Sequence, residues 1–200
     1  MTKIKFCGMR TLEAAAVANE IMPDYAGFVL APQFWRYVSR EKLIPISKSL
    51  RPEIQKVGVF VDNPFDEVAE LLDSGLIDLA QLHGNEDGGY IRRLQDTCGK
   101  PIIKAFKIET ADDVKRAQDS PADFVLLDSG TGTGRSFDWS LIESFGREFF
   151  LAGGLDPENV REAIERCRPY AVDVSSGIET DRVKDPEKMR DFASAVRSIN

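Results

Sequence analysis

Residues 149–177 read FFLAGGLDPENVREAIERCRPYAVDVSSG, and the fold is decided on this stretch. The apolar run Phe149-Phe150-Leu151-Ala152 stops at the pair Gly153-Gly154. Asp156-Pro157 then offers a helix start, a carboxylate cap followed by a residue whose φ is already helical and whose missing N–H the first turn does not need. Residues 158–167 continue as a helix, and Ala171-Val172-Asp173-Val174 forms a second apolar run that ends in Ser175-Ser176-Gly177. Strand, helix, strand at this spacing is a parallel βαβ unit with a right-handed crossover.

The same unit recurs in both directions. Apolar runs at residues 4–7, 25–30, 56–61, 77–82, 102–106, 124–127, 149–152 and 171–174 make eight candidate strands. Several are nearly continuous and rich in β-branched or aromatic residues, as strands buried on both faces require. Helical segments lie between them: 11–21 with Thr11 as N-cap, 65–73 behind Asn63-Pro64, 86–97 with Tyr90, Ile91 and Leu94 at helical spacing, 110–118, 158–167, and 187–198 behind Asp185-Pro186. In segment 39–49 Pro45 interrupts the helical pattern. Eight units of about 25 residues each predict an α/β chain that is a single (β/α)8 TIM barrel, with residues 1–200 as one catalytic domain. An open doubly wound sheet is the competing architecture. Its dinucleotide fingerprint is missing, because the first strand runs into Cys7-Gly8-Met9-Arg10 and not into G-x-G-x-x-G. The glycine-rich stretch from Gly130 to Gly134 follows a strand and reads as a loop.

Composition narrows the class of protein. The chain is 42% hydrophobic and 30% charged, with a formal net charge of −7 and no lysine or arginine run, so a nucleic-acid partner is not expected. Three cysteines without paired spacing and one histidine make neither a disulfide framework nor a zinc site. The N-terminus has no apolar stretch of signal-peptide length, and no run approaches a membrane span. The expectation is a reduced, soluble, cytoplasmic domain without membrane contact, free-standing at its terminus Ser198-Ile199-Asn200, and a monomer or homodimer.

In a barrel, chemistry gathers at the C-terminal ends of the strands. Cys7 ends the first strand. It is either inert packing, as most buried cysteines are, or a reactive thiol whose ionisation a nearby cation such as Arg10 or Arg36 would favour. Asp128 follows Phe124-Val125-Leu126-Leu127, where partial desolvation would keep a carboxyl protonated as a general acid; the alternative is a cap for the loop behind it. Gly153-Gly154 and Ser175-Ser176-Gly177 follow strands seven and eight, the usual phosphate site of such barrels, completed by a short extra helix. His83, at the end of strand four, reads as a neutral residue lining the ligand site. Asp173 belongs to the same strand-end set. Cys98 and Cys167 lie on or after helices and read as structural, and Trp35 and Trp139 as packing residues.

Several motifs taken together resemble one family. They are Lys5-Phe6-Cys7-Gly8, Gly27-Phe28-Val29, Val57-Gly58-Val59-Phe60, Gln81-Leu82-His83-Gly84, Leu126-Leu127-Asp128-Ser129, Gly132-Thr133-Gly134 with Phe137-Asp138-Trp139, Leu151-Ala152-Gly153-Gly154-Leu155, and Val172-Asp173-Val174-Ser175-Ser176-Gly177-Ile178-Glu179 before Lys184-Asp185. In this order they resemble the phosphoribosylanthranilate isomerases of tryptophan biosynthesis. The resemblance implies an Amadori rearrangement with Cys7 as general base, Asp128 as general acid, Arg36 on the anthranilate carboxylate, and phosphate held by the blocks of Gly154, Ser176 and Gly177. It implies a small-molecule phosphosugar substrate and no cofactor. Two departures stand out: Phe34-Trp35-Arg36 where the family often has Ser-Pro-Arg, and Thr180-Asp181-Arg182-Val183 where it usually has a Pro-Gly type turn. The related histidine-pathway isomerase is similar in fold and reaction but relies on an aspartate where this chain has Cys7. A phosphosugar-binding barrel without activity would lack the acid or the base, and this chain carries both.

Overall fold

Successive strand residues face opposite sides, and here both sides are apolar, so each strand needs cover on both faces. The computed structural model describes residues 1–128 and 139–199. Its eight parallel strands close into a barrel in chain order: β1 Lys3–Phe6, β2 Tyr25–Val29, β3 Gln55–Phe60, β4 Leu79–Leu82, β5 Ile102–Lys107, β6 Phe124–Asp128, β7 Phe149–Leu151 and β8 Ala171–Val174. β1 closes the ring by pairing with both neighbours, Lys5 standing opposite Tyr25 on one side and Asp173 on the other. Outside lie α1 Leu12–Ile21, α2 Arg40–Ser49, α3 Phe65–Asp73, α4 Gly88–Cys98, α5 Ala111–Gln118, α6 Val160–Cys167 and α7 Pro186–Arg197. β8 leads through a 3-10 turn, Ser176–Ile178, into the hairpin β9 Glu179–Thr180 and β10 Val183–Lys184. None of the described helices is long and apolar enough to cross a membrane.

The two parities build two cores. Ile4, Phe6, Phe28, Leu82, Val125 and Leu127 face outward and pack with Leu43, Val68, Leu94 and Phe192 of the helices. Tyr25, Val57, Leu79, Ile103, Leu126 and Phe150 face inward and fill the barrel, with Phe150 edge-on to Tyr25 and Phe124. Each such side chain contributes about 1.5–3 kcal/mol by leaving water.

Helix ends follow local chemistry. Thr11 accepts the Ala14 N–H, Thr110 and Asp113 form a reciprocal capping box, and Asp185 caps α7 with Pro186 at its first position. Two expected starts move by two residues, and at α3 the start holds at Phe65 while the cap differs. Asp87 is the cap of α4, which begins at Gly88 and not at residue 86. Pro64 itself is the N-cap of α3. The Asp156 carboxylate accepts the N–H groups of Glu158 and Asn159, so a turn forms there and α6 begins at Val160. Pro45 does not interrupt α2. It lies on the exposed side of a continuous helix whose other side buries Leu43 and Ile46, and that burial outweighs one lost ladder bond.

Candidate active site

At the C-terminal ends of the strands the inward parity turns polar. Cys7 just after β1, Gln81 and His83 on and after β4, Asp128 from β6, and Asp173 and Ser175 on and after β8 line a pocket of about 430 Å³. Val29 and Val59 form an apolar wall, and Trp35, Arg36, Gly153 and Gly154 form the rim. A wider depression of about 990 Å³ at the opposite end of the barrel, around Thr2, Arg147 and Tyr170, holds none of the candidate site residues.

Cys7 is 8% exposed. Its N–H donates to the Val174 carbonyl and its own carbonyl accepts from the Ser175 hydroxyl, so β8 fixes its backbone. Burial pushes the thiol up; Lys5 and Lys184 oppose that and Asp173 adds to it. This corrects the expected cation: Arg10 stacks on Trp35, and Arg36 is committed to Glu179. Lys5, which sequence reasoning passed over, is fully buried and donates to Gln81 Oε1 and Asp173 Oδ2, each at 2.8 Å. Burial works against its charge, but Asp173 and Cys7 more than offset that, and it remains an ammonium. A lysine inside an apolar strand was the available signal.

Lys5 can only donate, so the Gln81 amide turns its oxygen toward it and its NH₂ toward His83 Nδ1, 3.1 Å away. Neutral His83 then carries its proton on Nε2, which lies 3.4 Å from Asp128 Oδ2. His83 therefore stands beside Asp128, three strands round the barrel from Cys7.

Arg36 makes a two-pronged pair with Glu179, Nε to Oε1 at 3.1 Å and Nη2 to Oε2 at 2.8 Å, and Glu179 also accepts from Lys184 at 2.8 Å. Burial works against the Glu179 carboxylate, but Arg36 and Lys184 hold it below the ordinary range. Gly8, at φ +75°, leaves room for the Arg36 side chain, since a Cβ there would sit 2.8 Å from Arg36 Cδ. Trp35 is not packed away; it is 44% exposed at the rim. Three guanidiniums lie over its ring, Arg36 at 4.1 Å, Arg10 at 4.8 Å and Arg182 at 5.3 Å. Arg182 reaches it from the β9–β10 turn, where Asp181 and Arg182 adopt φ of 50° and 65°, a conformation that favours glycine. Trp139 is buried, as expected, and Cys98 and Cys167 end α4 and α6 away from the pocket.

Gly153 and Gly154 have φ of 93° and 69°. A Cβ on Gly177 would run into the Leu155 carbonyl, so the loops after β7 and β8 meet backbone to backbone. Asn159 ties the first loop by donating to the Gly154 carbonyl, and Lys184 ties the second by donating to the Ser175 carbonyl. Among the described residues, no group takes up the N–H of Gly154, Ser176 or Gly177. The expected short extra helix is the single 3-10 turn Ser176–Ile178, so these N–H groups, more than a helix dipole, are what an anion would meet. Asp173 Oδ1 is buried and unpartnered at the pocket floor. The glycine-rich loop Gly130–Gly134 and the Phe137-Asp138 pair lie outside the described residues.

A closed parallel barrel with a thiol, a carboxyl and open N–H groups gathered at the C-terminal mouth belongs to the class of TIM-barrel enzymes. Residues 4–195 match the family model for N-(5'phosphoribosyl)anthranilate (PRA) isomerase. The chain is 41% identical to the N-(5'-phosphoribosyl)anthranilate isomerase of Endomicrobium trichonymphae, over 100% of both chains. It superposes on the crystal structure of phosphoribosyl anthranilate isomerase from Thermus thermophilus with TM-score 0.89 and 35% identity, covering 100% of both chains. A phosphoribosyl anthranilate isomerase in complex with reduced 1-(o-carboxyphenylamino)-1-deoxyribulose 5-phosphate is 36% identical with TM-score 0.89, over 99% of this chain and 100% of that one. The chain belongs to the N-(5'-phosphoribosyl)anthranilate isomerase family.

Proposed function

We infer that this chain isomerises N-(5-phosphoribosyl)anthranilate to 1-(2-carboxyphenylamino)-1-deoxyribulose 5-phosphate in tryptophan biosynthesis, with the whole chain acting as one catalytic domain. The observation that carries the reading is the convergence of the Cys7 thiol, the Asp128 carboxyl and the glycine loops on one pocket. Protonated Asp128 donates to the furanose ring oxygen as the ring opens, while the anthranilate nitrogen pushes in its lone pair and leaves a Schiff-base cation. His83 Nε2 lies 3.4 Å from Asp128 Oδ2, on the pocket side of the carboxyl. Cys7 thiolate takes the C2′ proton, acidified by the iminium, and the enolamine tautomerises to the ketone. The rearrangement is internal to the substrate, so no external oxidant or reductant is required. Each positioned proton transfer contributes about 10²–10⁴-fold.

The phosphate sits on the N–H groups of Gly153, Gly154, Ser176 and Gly177, remote from the reacting carbons, and holds the sugar in register. Asp173 Oδ1 accepts a ribose hydroxyl beside Ser175, and Arg36 faces the anthranilate carboxylate from its seat on Trp35. All these residues come from one chain, so a monomer and a homodimer serve the reaction equally, in the cytoplasm and without nucleic acid or membrane. Loss of anthranilate-type fluorescence, on mixing the protein with freshly generated phosphoribosylanthranilate, tests the activity. Cys7→Ala and Asp128→Ala should each lower kcat by at least about 100-fold with little change in KM. Near-full kcat in Cys7→Ala would show that the base is another group.

A further inference from the structure

The charged groups around Cys7 do not cancel. Lys5 of β1 and Asp173 of β8 lie beneath it; Lys184 of β10, Glu179 of β9 and Arg36 of the β2–α2 loop lie beside it; His83 and Asp128 face the same pocket from the β4 and β6 ends. The first five are three cations and two anions, so with a neutral thiol they leave one positive charge around a largely buried sulfur, Arg36 being the most exposed of the five at 23%. A thiolate brings them to zero, and an uncompensated buried charge is costly.

Lys5 is the cation whose place matches that need. Strand parity puts residues 5 and 7 on the same face of β1. Both side chains crowd over Gly27, where a Cβ would stand 3.0 Å from Cys7 Sγ and 3.3 Å from Lys5 Cε. The ammonium cannot swing away, because Gln81 and Asp173 each hold it at 2.8 Å. Lys184, which Glu179 and the Ser175 carbonyl hold, also favours the thiolate, but less than Lys5 does.

We propose that Lys5 is a positioning residue of the reaction: its ammonium, pinned under the pocket, is the counter-charge of the Cys7 thiolate and, through Gln81, fixes the His83 proton on the nitrogen that faces Asp128. The assignment rests on Cys7 being the base. A merely structural Lys5–Asp173 pair would tie β1 to β8 and do nothing more.

The test follows iodoacetamide alkylation of the Cys7 peptide by mass spectrometry across pH, in wild type, Lys5→Met and Asp173→Asn. Lys5→Met should slow alkylation about tenfold or more at any pH below the wild-type midpoint, one pKa unit or more upward. Asp173→Asn removes an anion that opposes the thiolate and leaves the ammonium in place, so its midpoint should move down. Turnover of Lys5→Met should lose kcat more than KM, with the loss shrinking as pH rises. A folded Lys5→Met with the wild-type midpoint, or both substitutions shifting the same way, overturns the proposal. Should Lys5→Met fail to fold, Asp173→Asn decides alone: a downward shift supports it and no shift or an upward one sinks it. The titration is read without substrate, so an unchanged midpoint removes the role of Lys5 alone, whereas full turnover in Cys7→Ala removes the base assignment beneath it.

Discussion

Trp35 and Cys7 change meaning with their neighbours. An indole in a sequence reads as core; here it is a platform on which Arg36 lies at 4.1 Å while Glu179 grips the same guanidinium from its edge. Cation–aromatic contact at a half-exposed site contributes about 0.5–2 kcal/mol. Trp35→Ala should therefore loosen Arg36 and raise KM about three- to thirtyfold with kcat nearly unchanged, read by steady-state kinetics. An unaltered KM would show that Glu179 alone seats the arginine. The cysteines make the same point. Burial pushes all three thiols up, Cys167 to about 11, but Cys7 alone combines lysine neighbours with an opening to the pocket.

At the scale of the element, local signals placed starts and stops within a few residues, and the misses have named causes. Asp156 makes a turn before α6 because its carboxylate is satisfied by the next N–H groups before a helix begins. Pro45 sits in α2 because the buried face, not the backbone ladder, holds that helix to the barrel. Restoring the lost N–H without touching the core should help. Pro45→Ala is expected to stabilise the protein by about 1–3 kcal/mol, or several degrees in Tm by circular dichroism. A lower Tm would mean that the helix path depends on the ring.

Across the whole molecule, closure brings the first and last strands together, and with them Cys7, Lys5 and the loops proposed to hold phosphate. Occupying those loops should stabilise the barrel as a unit, by about 2.7 kcal/mol at a ligand concentration 100 times Kd. Ribose 5-phosphate is expected to raise Tm in wild type. The shift should largely vanish in Gly154→Ala, whose backbone at φ 69° tolerates a side chain poorly. An equal shift in both proteins would place the phosphate elsewhere. This glycine pair was legible because a barrel converts order along the chain into position around the ring, and loops seven and eight adjoin for that reason alone.

The sequence by itself determined the eightfold alternation, the strand ends and the residues standing there, Cys7, His83, Asp128, Asp173 and the glycine and serine loops. Apolar periodicity and caps act over a few residues, so they survive in a linear reading. The tertiary structure decided who touches whom: Lys5 with Gln81 across 76 residues, Lys5 with Asp173 across 168, and Arg36 with Glu179 across 143. Those contacts depend on strand register and ring closure, and in a closed sheet a shift of one residue would turn Lys5 and Cys7 to the helix side.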